Sequence, residues 1–500
     1  MGDLFGNLTL GFSVAFTPAN LLACLVGCLG GTLVGVLPGI GPVTTIALML
    51  PVTFYLPPES GLIMLAGIFY GAQYGGSTTA ILVNIPGETS AVVTAIDGYQ
   101  MAQQGRAGPA LAVAALASLF AGTVATLLIC IAAPPLAVIG KSFGAPEYCA
   151  LMTLGLVGSV VIASGSVLKA FAMVLLGLTL GIVGIDVNSG DARFTFGVTS
   201  LMDGIDFVPI SVGLFGLGEV ISNLRGIEYR MVAEKKLRLW PSADDFRKAW
   251  PAALRGTGVG SVIGLLPGGG AALSSFMAYV LEKKVSKDPS IFGKGAVQGV
   301  AGPEAANNAG AQTSFIPMLT LGIPGNAVMA VMVAALMIHG ISPGPGVMTD
   351  RPQLFWGLIA SMFIGNVMLV VINLPMIGIW IRLLQVPFRL LYLAIIAFCA
   401  IGSYAFRGNP SDVMLATMFG VLGYFFIKYR CEAPPLLLGF VLGPQMEENL
   451  RRSMLISGGE FSIFVQRPIS ASLLIVTAIM ILLIVLPGIR KKREEAFQED

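Results

Sequence analysis

The side chains able to do chemistry in this sequence are few, and they sit beside breaks in otherwise apolar segments. Glu88, Asp97, Glu304 and His339 are the ionisable groups next to those breaks, and Asn84, Asn307, Asn308 and Asn326 add neutral oxygens and amides. An ionisable group inside a hydrophobic segment is costly to keep and by default marks an ion or substrate path. Carbonyl, amide, hydroxyl and carboxylate oxygens suit Na⁺, and a carboxylate also suits a proton. Asn84, Glu88, Glu304 and Asn326 are therefore read as coupling-ion residues, with helix-start capping as the structural alternative for the two glutamates. The lone His339 is read as a structural hydrogen-bonding residue.

The breaks that must position these groups come in pairs. Gly31-Thr32-Leu33-Val34-Gly35-Val36-Leu37-Pro38-Gly39-Ile40-Gly41 and Gly260-Ser261-Val262-Ile263-Gly264-Leu265-Leu266-Pro267-Gly268-Gly269-Gly270 share six of eleven positions at an offset of 229 (267 − 38). Ile85-Pro86-Gly87-Glu88 and Ile323-Pro324-Gly325-Asn326 form a second pair, at an offset of 238 (324 − 86). In lipid, every backbone group freed by a Pro-Gly break must face protein or a watery cavity. Repeat-built transporters use such breaks near the midplane, presenting half-helix N-termini to anions and unwound carbonyls to cations. The helices starting after Gly41 and Gly270 offer unpaired amides, a positive dipole end and nearby hydroxyls, enough to hold a carboxylate without lysine or arginine. The substrate-binding candidates are Pro38, Gly39, Gly41, Thr44, Thr45, Ser77, Thr78 and Thr79 in the first half. Those in the second are Pro267, Gly268, Gly270, Ser274, Asn307 and Asn308.

Composition sets the class. The chain has 500 residues, 55% hydrophobic and 11% charged, against about 25% charged in soluble proteins. Apolar runs near the 20 or so residues needed to cross a bilayer recur throughout. Abundant glycine (63) and proline (30) suit close helix packing and broken helices. No Lys or Arg precedes Arg106, whereas 225–248 and 490–493 are basic; the positive-inside rule puts both in the cytoplasm. The topology signal accounts for the basic residues, so nucleic acid is not an expected partner. One histidine excludes a His-x-x-x-His zinc site, and no Gly-Lys-Ser/Thr follows a glycine loop, so neither zinc hydrolysis nor ATP is expected here. No cofactor is implied beyond Na⁺ as a possible coupling ion. The six cysteines lie mostly in apolar sequence and read as packing residues.

The expected fold is an all-α polytopic membrane protein with about 12 transmembrane segments, two internal repeats and broken or re-entrant helices. A first span covers 21–37, and apolar segments follow at 43–56, 61–83, 110–139, 147–165 and 168–185. The 61–83 segment is interrupted at 70–79, and 186–206 reads as a connecting loop. The organisation is a first transmembrane repeat (1–222), a basic cytoplasmic connector (223–250), a second repeat (251–444), and a C-terminal span with a basic tail (445–500). The stretch Glu282–Asp288 reads as a solvated turn, and 302–312 as a polar, small-residue stretch.

These motifs resemble the large membrane subunit of the tripartite tricarboxylate transporters, the TctA-type family. The resemblance rests on Gly35–Pro42, Tyr74-Gly75-Gly76-Ser77-Thr78-Thr79, Ile85–Ser90, Asp97-Gly98-Tyr99, Pro303–Ala309 and Ile323-Pro324-Gly325. It implies a bacterial inner-membrane uptake system in three parts. A periplasmic binding protein delivers a di- or tricarboxylate or related organic acid, a small four-span subunit accompanies this one, and a Na⁺ or H⁺ gradient supplies energy. It also implies inverted repeats and admits an elevator-like movement. A stand-alone ion-coupled exporter or exchanger is the alternative within transport; a membrane enzyme on a lipid-linked substrate is the alternative outside it.

Overall fold

A computed structural model describes residues 4–37, 41–84, 86–162, 166–186, 189–223, 239–266, 270–383 and 388–485. Pro38, Gly39, Pro267 and Gly268, residues 225–238 of the connector and the basic tail at 490–493 lie outside the described residues. The first half runs α1 (Leu4–Ala15), α2 (Pro18–Val36), α3 (Pro42–Phe54), α4 (Pro58–Val83), α5 (Val92–Gln103), α6 (Ala107–Gly140), α7 (Ala145–Ile162) and α8 (Val167–Gly181). A two-residue antiparallel ladder, β1 (Gly184–Ile185) with β2 (Ala192–Arg193), precedes α9 (Phe207–Ser211), a π-helical turn at Val212–Leu217 and α10 (Gly218–Asn223). The second half runs α11 (Ala243–Gly264), α12 (Gly270–Val285), α13 (Gln298–Thr313), α14 (Phe315–Leu321), α15 (Ala327–Ile338), α16 (Val347–Asp350) and α17 (Pro352–Asn373). The described chain closes with α18 (Ile377–Leu383), α19 (Phe388–Arg407), α20 (Pro410–Lys428), α21 (Ala433–Ile456), α22 (Ile463–Gln466) and α23 (Pro468–Val485).

The architecture is all-α and suited to a membrane. Among the described residues, α2, α6, α17 and α20 are long and apolar enough to cross a bilayer, and eight further apolar helices are shorter. One expectation about these segments needs correction. The 61–83 segment is not interrupted: α4 is continuous, and every residue from Ser60 to Val83 is buried. Its glycines and hydroxyls are tolerated because tertiary packing outweighs a propensity deficit of about 1 kcal/mol per glycine. The polar stretch at 302–312 is likewise helical, within α13, and buried throughout. A helix at residues 4–15 precedes the first expected span.

Glycine stripes seat the central helices. α2 lies along α4, with Gly27, Gly31 and Gly35 over the carbonyl oxygens of Met64, Ile68 and Ala72. α11 lies along α13, with Gly256, Gly260 and Gly264 over those of Gly302, Ala306 and Gly310. A Cβ on any of these six glycines would run into backbone. Small residues every four positions let helix backbones touch, and that contact is how helices associate where no hydrophobic effect operates. The offset between the two glycine stripes is 229 (256 − 27) and between the carbonyls 238 (302 − 64), the same two numbers that separate the paired breaks.

The halves interlock around these pairs. α6 packs on α13 and α17 on α4, while α3 meets α15 and α12 meets the 3-10 turn at Thr89–Ala91. Charge then fixes the periphery. The Arg255 guanidinium forks onto Glu282, Nε to Oε1 and Nη2 to Oε2, both at 2.7 Å. Glu282 therefore belongs to the last turns of α12, buried against α11, and not to a solvated turn. Arg255→Ala would strand a buried carboxylate, at a cost of about 3–5 kcal/mol. We expect a melting temperature lowered by several degrees in a detergent thermal-shift assay, with Arg255→Lys restoring little because lysine lacks the fork. Elsewhere, Asp186 and Glu447 each bond both Arg193 and Arg451, clamping the β1–β2 ladder to α21.

Candidate functional site

Glu304 sits on α13 where the two halves meet and is 1% exposed. Its Oε1 accepts from Ser77 Oγ of α4 at 2.7 Å and Thr94 Oγ1 of α5 at 2.5 Å, and its Oε2 from Ser118 Oγ of α6 at 3.4 Å. Asn308, one turn along α13, donates from Nδ2 to Ser118 Oγ at 2.7 Å. Glu88 follows the second break and accepts from Ser90 Oγ and, at 3.3 Å, from Asn307 Nδ2. Two carboxylates from opposite halves are thus held by hydroxyls and amides. Among the described residues, no Lys or Arg bonds either of them. A buried carboxylate with neutral partners calls for a compensating cation or proton.

A cavity of about 20 Å³ adjoins this group, lined by Tyr74, Ser77, Thr78, Ser118, Glu304 and Asn373 among others. That is room for one water or one small cation. Asn307 Oδ1, Asn308 Oδ1 and Asn373 Oδ1 are all buried without a hydrogen-bond partner.

The predicted residues therefore divide. Ser77, Glu88, Glu304, Asn307 and Asn308 come together, and Thr78 lines the same cavity. Thr78 and Thr79 donate to carbonyls within α4, of Tyr74 at 3.0 Å and Gly76 at 2.9 Å. Gly41 is the N-cap of α3, and Thr45 Oγ1 donates back to its carbonyl at 3.2 Å, while Thr44 Oγ1 is buried and unpartnered. Gly270 opens α12 at φ +49°. Ser274 Oγ donates to the Gly270 carbonyl at 2.7 Å and Ser275 Oγ to that of Pro303 at 3.0 Å. Asn326 caps α15, its Oδ1 accepting from the Met329 amide at 3.0 Å, and it flanks Gly270. Asn84 ends α4 in the left-handed conformation, φ 58°, which turns the chain into the second break. Among the described residues, neither Asn84 nor Asn326 bonds the two glutamates.

Comparison with known proteins bears on this arrangement. Residues 21–438 match the family model described as Tripartite tricarboxylate transporter TctA family. This chain belongs to that family. The TctA-family chain is also 57% identical over 501 residues, the full length of both chains, to an uncharacterised 52.8 kDa protein in the TAR-I ttuC' 3'region of Agrobacterium vitis. A second uncharacterised protein of that organism, in the TAR-II ttuC' 3'region, is 56% identical over 241 residues, 48% of this chain and all of its own. No solved structure matches. The protein is a multi-pass membrane component of a tripartite tricarboxylate transporter.

Sequence reading missed three residues around this group, Thr94, Ser118 and Glu219, and left the role of a fourth, Asp97, open. Thr94 and Ser118 complete the shell around Glu304, yet a threonine in an amphipathic stretch and a serine in an apolar one carry no signal by themselves. Glu219, on α10, lies beside the Gly41 amide, so a carboxylate of the chain itself stands near the terminus of α3. An acid within otherwise apolar sequence is the available clue. Asp97, placed only beside a break, is fully buried: Oδ1 accepts from the amides of Gly293, Gly295 and Ala296 at 2.8–2.9 Å, and Oδ2 from Tyr279 Oη at 2.9 Å. It ties α5 to α12 and to the turn that launches α13, and so sets where Glu304 stands.

Proposed function

We propose that the chain imports a di- or tricarboxylate or related organic acid, driven by a Na⁺ or H⁺ gradient through Glu304 and Glu88. A periplasmic binding protein would deliver the substrate and a small four-span subunit would complete the complex in the bacterial inner membrane. The connector and C-terminus would lie in the cytoplasm. One observation carries the coupling role: Glu304, 1% exposed, is held by three hydroxyls alone at the junction of the halves. A cation arriving there is worth far more than at a surface, because nothing else balances the carboxylate.

The substrate anion is assigned to the helix termini at the breaks, Pro38–Gly41 with Thr44 and Thr45, and Pro267–Gly270 with Ser274. The two-repeat organisation, 1–222 and 251–444, belongs to the same reading, with about a dozen spans. The recurrence of the 229 and 238 offsets in the α2–α4 and α11–α13 packing supports it. The exchanged packing of α6 on α13 and α17 on α4 is the arrangement a two-fold axis relating the halves would produce.

The test is uptake of labelled di- and tricarboxylates into vesicles carrying the whole complex, with imposed Na⁺ or pH gradients. Glu304→Gln is expected to lower gradient-driven uptake at least tenfold, with Glu88→Gln shifting the cation dependence less. If both variants keep the wild-type Na⁺ and pH profiles, the carboxylates are capping groups and the coupling role is wrong.

A further inference from the structure

Polar residues recur along the interface between α6 and α13. Glu304, Asn308 and Gln312 lie four residues apart on α13, and Ser118, Gly122 and Thr126 on α6 keep the same spacing. Bonds join the two rows. Beyond Asn308–Ser118, Thr126 Oγ1 donates to Gln312 Oε1 at 2.6 Å, and Gln312 Nε2 to Asn366 Oδ1 of α17 at 2.8 Å. Eight residues of helix rise about 12 Å, so the row runs that far from Glu304 through the interior. Gly122 leaves room for it: a Cβ there would lie 2.7–2.8 Å from the Asn366 and Gln312 amides.

The row is not self-satisfied. Asn308 Oδ1 and Asn366 Nδ2 are buried and unpartnered, and so are Tyr70 Oη and both Gln73 Oε1 and Nε2 within one turn of α4. Gln73, Asn308 and Asn366 are all 0% exposed. Ser77, a turn beyond Gln73, bonds Glu304, and the Tyr70 ring lies 6.0 Å from that of Phe315. Those two contacts bracket Gln73 and set it at the level of Asn308 and Gln312. Turning the Asn308 amide round gives no relief, because its Nδ2 also donates to the Glu304 carbonyl at 3.2 Å, where an oxygen would be repelled.

Each unpaired buried group costs roughly 1–3 kcal/mol, and internal water is the usual remedy. The unpaired set contains donors as well as acceptors. A bare cation would face Gln73 Nε2 and Asn366 Nδ2, whereas water can accept from one and donate to the other.

We propose that Gln73, Asn308 and Asn366 form an internal water site that extends the Glu304 pocket along α13 as a hydrated path. Its hydration stands on the unpaired amides alone; its part in transport rests on the coupling role of Glu304.

The test uses the full-length protein in nanodiscs, labelled by hydroxyl radicals from brief X-ray irradiation, which oxidise side chains beside ordered water. Tyr70, 1% exposed, is expected to be oxidised in the wild type and at least fivefold less in Gln73→Leu. In vesicles Gln73→Leu is expected to lower carboxylate uptake at least tenfold, with a melting temperature unchanged or raised. An unlabelled wild-type Tyr70 would mean a dry core and overturn the site. Undiminished uptake by Gln73→Leu, with its labelling lost, would overturn the path. Should Gln73→Leu not fold, Asn366→Leu serves both measurements. If Glu304→Gln transports normally while Tyr70 still labels, the coupling role fails and the water site stands.

Discussion

Leucine at Gly35 or at Gly264 is expected to leave no folded protein to assay. A Cβ on Gly35 meets the Ala72 carbonyl and comes within 2.8 Å of the Gly76 amide nitrogen, and one on Gly264 meets the Gly310 carbonyl. Backbone cannot step aside as a side chain can, so the helices would have to part toward the usual 8–10 Å separation. Parting them loosens every contact along the pair, at a cost above the roughly 1–3 kcal/mol of ordinary overpacking. Global stabilities are only about 5–15 kcal/mol. Size-exclusion profiles and melting temperatures in detergent measure the effect. Gly30→Leu on α2 and Gly258→Leu on α11 provide the controls, since a Cβ at either meets nothing within 4 Å. If Gly35→Leu and Gly30→Leu behave alike, the backbone-contact account is wrong.

Asp97→Ala should be nearly as damaging. It orphans three amides and one tyrosine hydroxyl in a fully buried setting, a loss of roughly 4 kcal/mol or more at 1–3 kcal/mol per stranded group. The turn at 293–296 would lose its anchor, and α13 its fixed starting point. Asp97→Asn keeps an oxygen for the three amides and is expected to recover much of the melting temperature. Limited proteolysis gives a second readout, with the alanine variant cleaved between α12 and α13 and the wild type resistant. Equal protease resistance in Asp97→Ala would show that the clamp does not hold the turn.

Much of this was legible from spacing. The motif offsets of 229 and 238 recur in which carbonyl lies under which glycine, and Glu88, Glu304, Asn307 and Asn308 stand out by their place beside breaks. What spacing cannot convey is which face of a helix meets which neighbour. The 302–312 stretch is poor in apolar side chains because glycine and alanine pack by letting backbone approach, so its helical burial leaves no hydrophobic pattern. Ser118 and Thr94 acquire their meaning from a carboxylate about 190–210 positions away. Glu219 lies near Gly41 at the start of α3, across a chain separation that no local motif spans.

The glycine stripes also bear on how the molecule can move. Where side chains meet, an interface can slide by exchanging rotamers; where carbonyl rests on glycine there is nothing to exchange. The α2–α4 and α11–α13 pairs are in that sense two welded struts. Any displacement that carries an ion or an anion across the membrane must leave each strut whole. It would be taken up where bonded side chains bridge the joint, as between α6 and α13, the contact that carries Ser118 against Glu304 and Thr126 against Gln312.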